Sequence, residues 1–491
     1  MRWDDPDPAE VVRLESQNDW DSLLRRYSPN LLIRPFERCL EVARAGLAKT
    51  VVIETRYLDL DYRSEFSSFF SKTFGEIPDT AHRLHFFKGT VGANQLAALP
   101  EETRVGYLGY VVIRPSPLGR VGRSVLVPPP ESSDFVQTRV VDRVNLFGQI
   151  LRVFGVPFAQ QDTQFGRCAH VAAWVCHYTA WLRGDVTRRP MADFSLLADP
   201  NVAEGRPLPS QGLTGLQLSN LMREFALPPI VYRMGSLPES GQEPAVPPHD
   251  DDEDPGTWDT RAIAILCRFL NSGYPVLVGT HDHAFVVIGY KREKREGKPW
   301  IRFIRHDDQK GPYLDVGNIL DDVDGQTGDR YSPWQLLIAP VPDKLWLLPE
   351  AAERAGAELL RRYDELQGSG ILRKLLDARR LTFRTLAMKS SCYKKAASDR
   401  HLDKAPVREI RLARLPRFVW VVEAVDRQAR ERGRPCVVGE AVFDSTSSDA
   451  NPNVLILRVP GSMLVQQTDG RIRSPLPGTK KSVLSAAAFQ P

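Results

Sequence analysis

The amino-acid sequence predicts a protein of the α+β class that is divided into three domains. In the middle of the chain, three helix-like segments are followed by a short antiparallel series of strand-like segments, which is the order of an α+β layer arrangement. The chain has 491 residues. This is too long for one hydrophobic core, because domains usually hold about 100–200 residues.

The first zone, 1–145, is predicted to form an α+β accessory domain. It opens with helix-like stretches, and strand-forming runs separated by turn residues then follow. These runs are VVIETRYLDL at 51–60, RLHFF at 83–87, YLGYVVIRP at 107–115 and SVLVPPP at 124–130. Nothing in this zone indicates catalysis.

The second zone, 146–342, contains the helix-to-strand order. A strand-like run at 149–158 leads into the apolar helix CAHVAAWVCHYTAWLRG at 168–184, which ends at a glycine, as helices often do. The remaining elements are helices at 212–227 and 259–273 and strands at 275–279, 283–290 and 300–308. We interpret the acidic, proline-rich run at 244–258 and the basic run KREKREGK at 291–298 as exposed loops.

The third zone, 343–491, is predicted to be a connector helix and a small α/β accessory domain. The helix covers 349–366, and strand-like runs then surround the polar helix RQARERGR. Those runs are TFRTLAMK, FVWVVEAV, CVVGEAVFD and NVLILRV.

The net charge, the apolar segments and the cysteine spacing argue against several classes of protein. The formal net charge is only +4, which argues against a dedicated nucleic-acid-binding protein. The amino terminus lacks the basic and apolar segments of a secretory signal, and no apolar run is long enough to span a membrane. The six cysteines include no C-x-x-C pair, so neither a disulfide framework nor a zinc ribbon is indicated. We therefore expect a cytoplasmic protein.

Two residues of the second zone have the chemistry of a nucleophile and its base. Cys168 stands where a polar loop gives way to an apolar helix, and a helix amino terminus favours a thiolate. His283 begins the run HAFVVIGY, so its imidazole is expected at the mouth of a strand, 283 − 168 = 115 residues further on. Either residue alone is more often structural than catalytic.

The sequence around these two residues resembles the papain-like cysteine peptidases, and in particular the bacterial branch of C39-type peptidases. The resemblance is carried by Asp282 to Tyr290 (DHAFVVIGY), by the preceding GYPVLV at 273–278, and by PFAQQD at 157–162 followed by Cys168-Ala169. It covers the second zone only. It implies a papain-like domain, with a helical layer and an antiparallel sheet, flanked by the two smaller domains.

The resemblance also implies roles for individual residues and requires no cofactor. Cys168 would attack, His283 would transfer the proton, and Asp307 would orient His283, with Asp308 as a close alternative. Since successive strand residues point to opposite faces, at most one of these aspartates is expected to face His283. A glutamine would help to stabilise the oxyanion. Gln160, Gln161 and Gln164 are the available glutamines; none stands at the family's offset, and we favour Gln161.

The expected activity is hydrolysis of a peptide, amide or isopeptide bond through a thioester acyl-enzyme, with a protein or peptide as substrate. The flanking domains would select that substrate or bind a partner protein, and no nucleic-acid partner is expected. Two alternatives use the same fold: acyl transfer to an amine, and a protein-binding module with little turnover. A third alternative is a zinc or iron site built from His281, His283, His306, Asp307 and Asp308.

Overall fold

A computed structural model describes residues 8–27, 34–115, 121–162, 167–198, 212–233, 258–295, 298–316, 334–397 and 407–474. The chain forms two compact units. The first comprises Met1–Gly235 and Gly273–Pro342, and the second comprises Ser236–Ser272 and Asp343–Pro491. The boundary expected at residue 145 falls inside the first unit, and the division into three domains stays a prediction.

The first unit contains a seven-stranded antiparallel sheet with the order β1-β2-β3-β4-β5-β7-β6. Its strands are β1 (Ala9–Arg13), β2 (Thr50–Tyr57), β3 (Ala81–Phe87), β4 (Tyr107–Ile113), β5 (Val121–Leu126), β6 (Val140–Leu146) and β7 (Gln149–Phe158). Strand β7 pairs with β6 along most of its length, while its last residues pair with β5. The strand predicted at 149–158 therefore completes the sheet of the preceding zone.

A second antiparallel sheet of the first unit has six strands in the order β12-β11-β10-β9-β13-β8. Its strands are β8 (Pro229–Arg233), β9 (Val276–Gly279), β10 (Ala284–Arg295), β11 (Lys298–Asp307), β12 (Gly311–Val316) and β13 (Leu336–Pro340). Strands β10 and β11 continue well into the basic run that we expected to be a loop. There Glu293 bridges Lys291 at 2.6 Å and Arg302 at 3.6 Å, so opposite charges stabilise the pairing of the two strands.

The helices of the first unit are α1 (Gln17–Tyr27), α2 (Arg34–Ala45), α3 (Leu60–Ser68), α4 (Glu101–Val105), α5 (Cys168–Leu182), α6 (Met191–Leu196) and α7 (Gly215–Glu224). Helix α5 is buried on nearly every side, which explains its almost continuous apolar sequence. Trp174, at its centre, is fully buried. One hydrophobic core joins α5 to side chains of both sheets, among them Val156 of β7 and Val286 of β10.

The second unit is a six-stranded antiparallel meander in sequence order, packed with helices. Its elements are α8 (Trp258–Asn271), α9 (Pro349–Gln367), α10 (Ile371–Asp377), β14 (Leu381–Lys389), α11 (Ser390–Ala396), α12 (Val407–Leu412), β15 (Phe418–Asp426), α13 (Arg427–Glu431), β16 (Val437–Asp444), β17 (Val454–Val459), β18 (Ser462–Gln466) and β19 (Ile472–Arg473). Helix α8, expected in the middle domain, belongs to this unit because Arg268 binds Glu353 of α9 through two hydrogen bonds.

Helices and antiparallel sheets occur together in both units, so the predicted α+β class is confirmed. Among the described residues, none of the helices combines the length and the apolar character needed to cross a bilayer.

Candidate active site

Cys168 is the first residue of α5, as the sequence predicts. Its side chain is partly buried and lines a small cavity, of about 10 Å³, between α5 and β10. The start of the helix is fixed by His170, whose Nδ1 accepts a hydrogen bond from the backbone N–H of Arg167 at 3.2 Å. Burial lowers the pKa of His170 to about 4, so its ring is neutral and able to accept this bond. The thiol therefore lies at the positive end of a well-anchored helix.

His283 precedes β10 and is held by a tight turn. The backbone N–H of His283 donates to Thr280 Oγ1 at 3.1 Å, and the backbone N–H of Thr280 donates to the His283 carbonyl at 2.8 Å. The imidazole is largely buried, with a side-chain exposure of 14%. Residues of the turn thus fix the backbone from which the imidazole projects.

Asp307 ends β11 beside this imidazole. Its Oδ1 lies 3.2 Å from His283 Nε2 and also accepts the backbone N–H groups of Gln309, at 3.0 Å, and Lys310, at 3.3 Å. The two backbone bonds are those of an Asx-type turn, so Asp307 closes the turn after β11 and also contacts the imidazole. Because a carboxylate can only accept, Nε2 is assigned as the protonated nitrogen.

Cys168 lies close enough to His283 for its thiol to act on the imidazole as a hydrogen-bonding neighbour. Burial lowers the pKa of His283, but the hydrogen bonds to Asp307 and Cys168 and the nearby aspartate charges outweigh it and raise this pKa to about 10. Burial raises the pKa of Asp307, but the bond to His283, the charges of His283 and Arg305, and the backbone bond from Gln309 together outweigh burial, so the pKa of Asp307 is lowered. The pair is therefore an imidazolium and a carboxylate at neutral pH.

Asp308 lies near the same imidazole, contrary to the expectation that at most one of the two aspartates faces it. Its Oδ1 is 3.8 Å from His283 Nε2. The alternation rule fails because β11 ends at Asp307, so Asp308 belongs to the following turn. Burial raises the pKa of Asp308 to about 8, against the opposing charge of His283 and with the help of the charge on Asp307. Asp308 also lines the cavity that Cys168 lines.

Gln161 does not share that cavity. It is buried and lines a second pocket with Gln160, Asp162, His170 and Glu65, on another side of the first turn of α5. Gln160 is used structurally, because its side-chain oxygen accepts the backbone N–H of Val121 at 3.2 Å. Gln164, the other alternative, lies outside the described residues. The role of Gln161 at the oxyanion therefore stays a prediction.

Sequence reasoning missed Gln309. Its Nε2 lies 3.4 Å from His283 Nδ1, the ring nitrogen opposite the one that faces Asp307. The only sequence signal was its position two residues after Asp307 in the turn. Because the Gln309 Nε2 group only donates, it can hold the neutral imidazole, whose Nδ1 accepts, and not the imidazolium.

Three groups at this site can also act as metal ligands. Among the described residues, ligand atoms of His283, Asp307 and Asp308 lie within 4.8 Å of one another. The other two histidines of the predicted metal set do not belong to this cluster. His281 is exposed, and His306 is a buried core residue whose Nδ1 contacts the Pro157 carbonyl at 3.1 Å. Burial lowers the pKa of His306 to about 3.

Comparison with known proteins does not assign the chain to a family. No protein-family model matches the chain, and no curated protein matches it. Among solved structures, the chain is similar to the crystal structure of UfSP from C. elegans, at 13% sequence identity and a TM-score of 0.24. The likeness covers 43% of this chain and 36% of the length of that one. A TM-score this low does not establish a shared fold, so the papain-like architecture and the C39-type branch stay proposals.

Proposed function

We propose that this protein is a cysteine hydrolase that cleaves a peptide, amide or isopeptide bond with a Cys168-His283-Asp307 triad. The observation that carries the proposal is that one imidazole, His283, contacts both the thiol of Cys168 and the carboxylate of Asp307. A thiol, an imidazole and an orienting acid in this order are the components of nucleophilic acyl transfer. The position of Cys168 at the amino terminus of α5 further favours its thiolate.

In the first half of the reaction, the Cys168 thiolate attacks the substrate carbonyl carbon and forms a carbon–sulfur bond. The carbonyl electrons move onto oxygen, and the backbone N–H of Cys168 together with the Gln161 amide is proposed to stabilise that oxyanion. The imidazolium of His283 gives its proton to the leaving nitrogen as the carbon–nitrogen bond breaks. A thioester and a neutral imidazole result.

In the second half, His283 takes a proton from water as the water oxygen attacks the thioester. The carbon–sulfur bond then breaks, the acid product leaves, and the thiolate and imidazolium are restored. Throughout, Asp307 holds Nε2 and stabilises the charged ring, which fits the 3.2 Å contact. An amine in place of the water would give acyl transfer instead.

Alkylation kinetics test the nucleophile without a known substrate. The full chain is treated with iodoacetamide between pH 5 and 9, and the labelled cysteines are quantified by peptide mass spectrometry. Cys392 provides the internal control, because it is a free and exposed cysteine of the second unit. We expect Cys168 to react at pH 6 at least about tenfold faster than Cys392, since an ordinary thiol with a pKa of about 8.5 is protonated there.

The matched variants are His283→Ala and Cys392→Ala. His283→Ala should remove the reactivity of Cys168 at pH 6 and leave the labelling of Cys392 unchanged. Cys392→Ala should leave the rate at Cys168 unchanged. If Cys168 in the wild-type protein shows the same pH profile as Cys392, the thiolate–imidazolium pair does not exist and the proposed hydrolase fails.

A further inference from the structure

The hairpin formed by β6 and β7 carries apolar side chains on both of its faces. Its inner face packs into the core of the first unit through side chains such as Val144 and Val153. On its outer face Val141, Ile150 and Phe154 are 48, 55 and 46% exposed. An antiparallel sheet that faces water normally carries polar residues on that side. The outer face thus has the composition of a contact surface, not of a solvated one.

Two arginines lie directly opposite each other on the same outer face. Arg143 of β6 pairs with Arg152 of β7 in the strand register, and both are exposed. Like charges in this position are unfavourable. Within the described part of the chain, neither arginine forms an ion pair, so nothing described relieves their repulsion. An acidic ligand would relieve it.

A cavity of about 370 Å³ adjoins one of these arginines, Arg143. The hairpin folds over the first sheet here, as the 2.5 Å bond from Arg83 Nη2 to the Asn145 carbonyl shows. Arg143 lines the cavity together with the buried guanidinium groups of Arg83 and Arg123, and with Glu54. Arg83 and Arg123 already bind carboxylates, at Glu54 and Asp59. Among the described residues, Arg143 is therefore the arginine of this lining whose charge has no carboxylate partner.

Strand β6 is also the edge of the seven-stranded sheet. An edge strand offers unpaired backbone N–H and C=O groups to a further strand. On β6 the Asn145 carbonyl is already bound by Arg83, so an added peptide would pair with the part of β6 that precedes Asn145. It would place alternate side chains beside Val141 and Arg143, on the outer face. Apolar contacts, a free positive charge and an open edge are thus present at one place.

We propose that the outer face of the β6–β7 hairpin, with the cavity at Arg143, binds an acidic and apolar segment of a partner protein as an added strand along β6. This inference does not depend on catalysis by Cys168. A protein segment fits better than a nucleic acid, because Val141 and Ile150 are aliphatic and cannot stack on bases. The aromatic ring of Phe154 is already covered by Arg139, whose guanidinium carbon lies 4.7 Å from the ring centroid.

The test uses fluorescence anisotropy with the full-length Cys168→Ala protein, which prevents turnover. The probe is a fluorescein-labelled peptide of alternating glutamate and valine, seven residues long to match β6. The comparison probes are the same peptide with lysine for glutamate, and a single-stranded oligonucleotide of equal charge. We expect the glutamate peptide to bind at least about tenfold more tightly than either comparison probe, because the free charges on this face are positive.

Variants then locate the site. The double variant Arg143→Glu/Arg152→Glu should bind the glutamate peptide with an affinity about tenfold or more lower than that of the Cys168→Ala protein. It should bind the lysine peptide instead, which a misfolded protein would not do. Arg56→Glu with Arg104→Glu is the matched control, since these arginines are exposed elsewhere in the same unit. It should change affinity by less than about twofold.

Hydrogen exchange provides an independent readout. The glutamate peptide should slow exchange of backbone amides in Val140–Leu146, because an added strand hydrogen-bonds the edge of β6. Equal loss of binding in both double variants, preference for the lysine peptide or the oligonucleotide by the wild-type surface, or unchanged exchange along β6 would each overturn the proposal.

Discussion

The two aspartates beside His283 have pKa values shifted in opposite directions, so replacing each by asparagine should have opposite effects on stability. Burial raises the pKa of Asp308 to about 8 from 3.8. The folded protein therefore holds a proton on Asp308 that the unfolded chain has lost between about pH 4 and pH 8. In that window, wild-type stability falls as the pH rises. Asp308→Asn removes this loss, because an amide does not ionise.

The size of the effect follows from the shift. About four pKa units at about 1.4 kcal/mol each set an upper limit of about 6 kcal/mol at pH 9. The attraction of ionised Asp308 to the imidazolium of His283 at 3.8 Å is already included in this shift. Relaxation of the protein and entry of water around an ionised carboxylate reduce the cost below the limit. We therefore expect Asp308→Asn to be more stable than the wild type by on the order of 2 kcal/mol at pH 9, and equally stable near pH 4.

Asp307→Asn is the matched comparison. The pKa of Asp307 is lowered, since its hydrogen bonds and the charges of His283 and Arg305 together outweigh burial. Its stabilisation is therefore present above the unfolded value of 3.8 and is lost as the pH falls through the folded value. Removing this charged hydrogen-bond partner should cost about 1–3 kcal/mol at pH 7. The cost should shrink towards the acid limit, where the wild type loses the same stabilisation.

Differential scanning calorimetry of the three proteins between pH 2 and pH 9 measures these differences, and the acid end covers the range in which Asp307 is protonated. The difference between a variant and the wild type isolates the mutated group, because all other titrating groups are shared. The reasoning about Asp308 is refuted if Asp308→Asn is less stable than the wild type at pH 9. It is also refuted if the difference is the same at both ends of the range.

Three further predictions concern packing and ligands. Gly289→Ala should destabilise the first unit by about 2–3 kcal/mol, because the added Cβ would lie 2.1 Å from the Phe135 carbonyl oxygen. In the control variant Gly279→Ala, the added Cβ has no neighbour closer than 3.5 Å, so the cost should be under about 1 kcal/mol. Urea denaturation of both variants measures the two free energies of unfolding. Arg114→Met should cost about 3 kcal/mol by the same measurement, because it leaves buried Glu65 without the two bonds of 2.8 and 2.9 Å. EDTA should leave the alkylation rate of Cys168 unchanged, and a clear change would favour a metal at His283, Asp307 and Asp308.

Local sequence pattern was sufficient for the elements that carry the candidate site. The apolar run starting at Cys168 formed α5, and the run HAFVVIGY formed the first part of β10. The pattern could not show that β7 closes the sheet of the preceding zone, because that depends on its pairing with β5 over a long loop. It also missed the contact of Gln309 with His283, since a turn residue has no periodicity that reports its neighbours.

The charge state of Asp308 bears directly on the nucleophile. Asp308 and Cys168 line one cavity, so an ionised Asp308 would oppose a thiolate there, while a neutral one does not. Burial keeps Asp308 neutral below its pKa of about 8, and the site then holds one carboxylate, Asp307, for one imidazolium. Above this pH, the alkylation rate of Cys168 in the wild type should fall below the rate of the same cysteine in Asp308→Asn, where no new negative charge forms. Below about pH 7 the two rates should agree. Equal rates of Cys168 in the two proteins up to pH 9 would mean that Asp308 does not control the thiolate at alkaline pH.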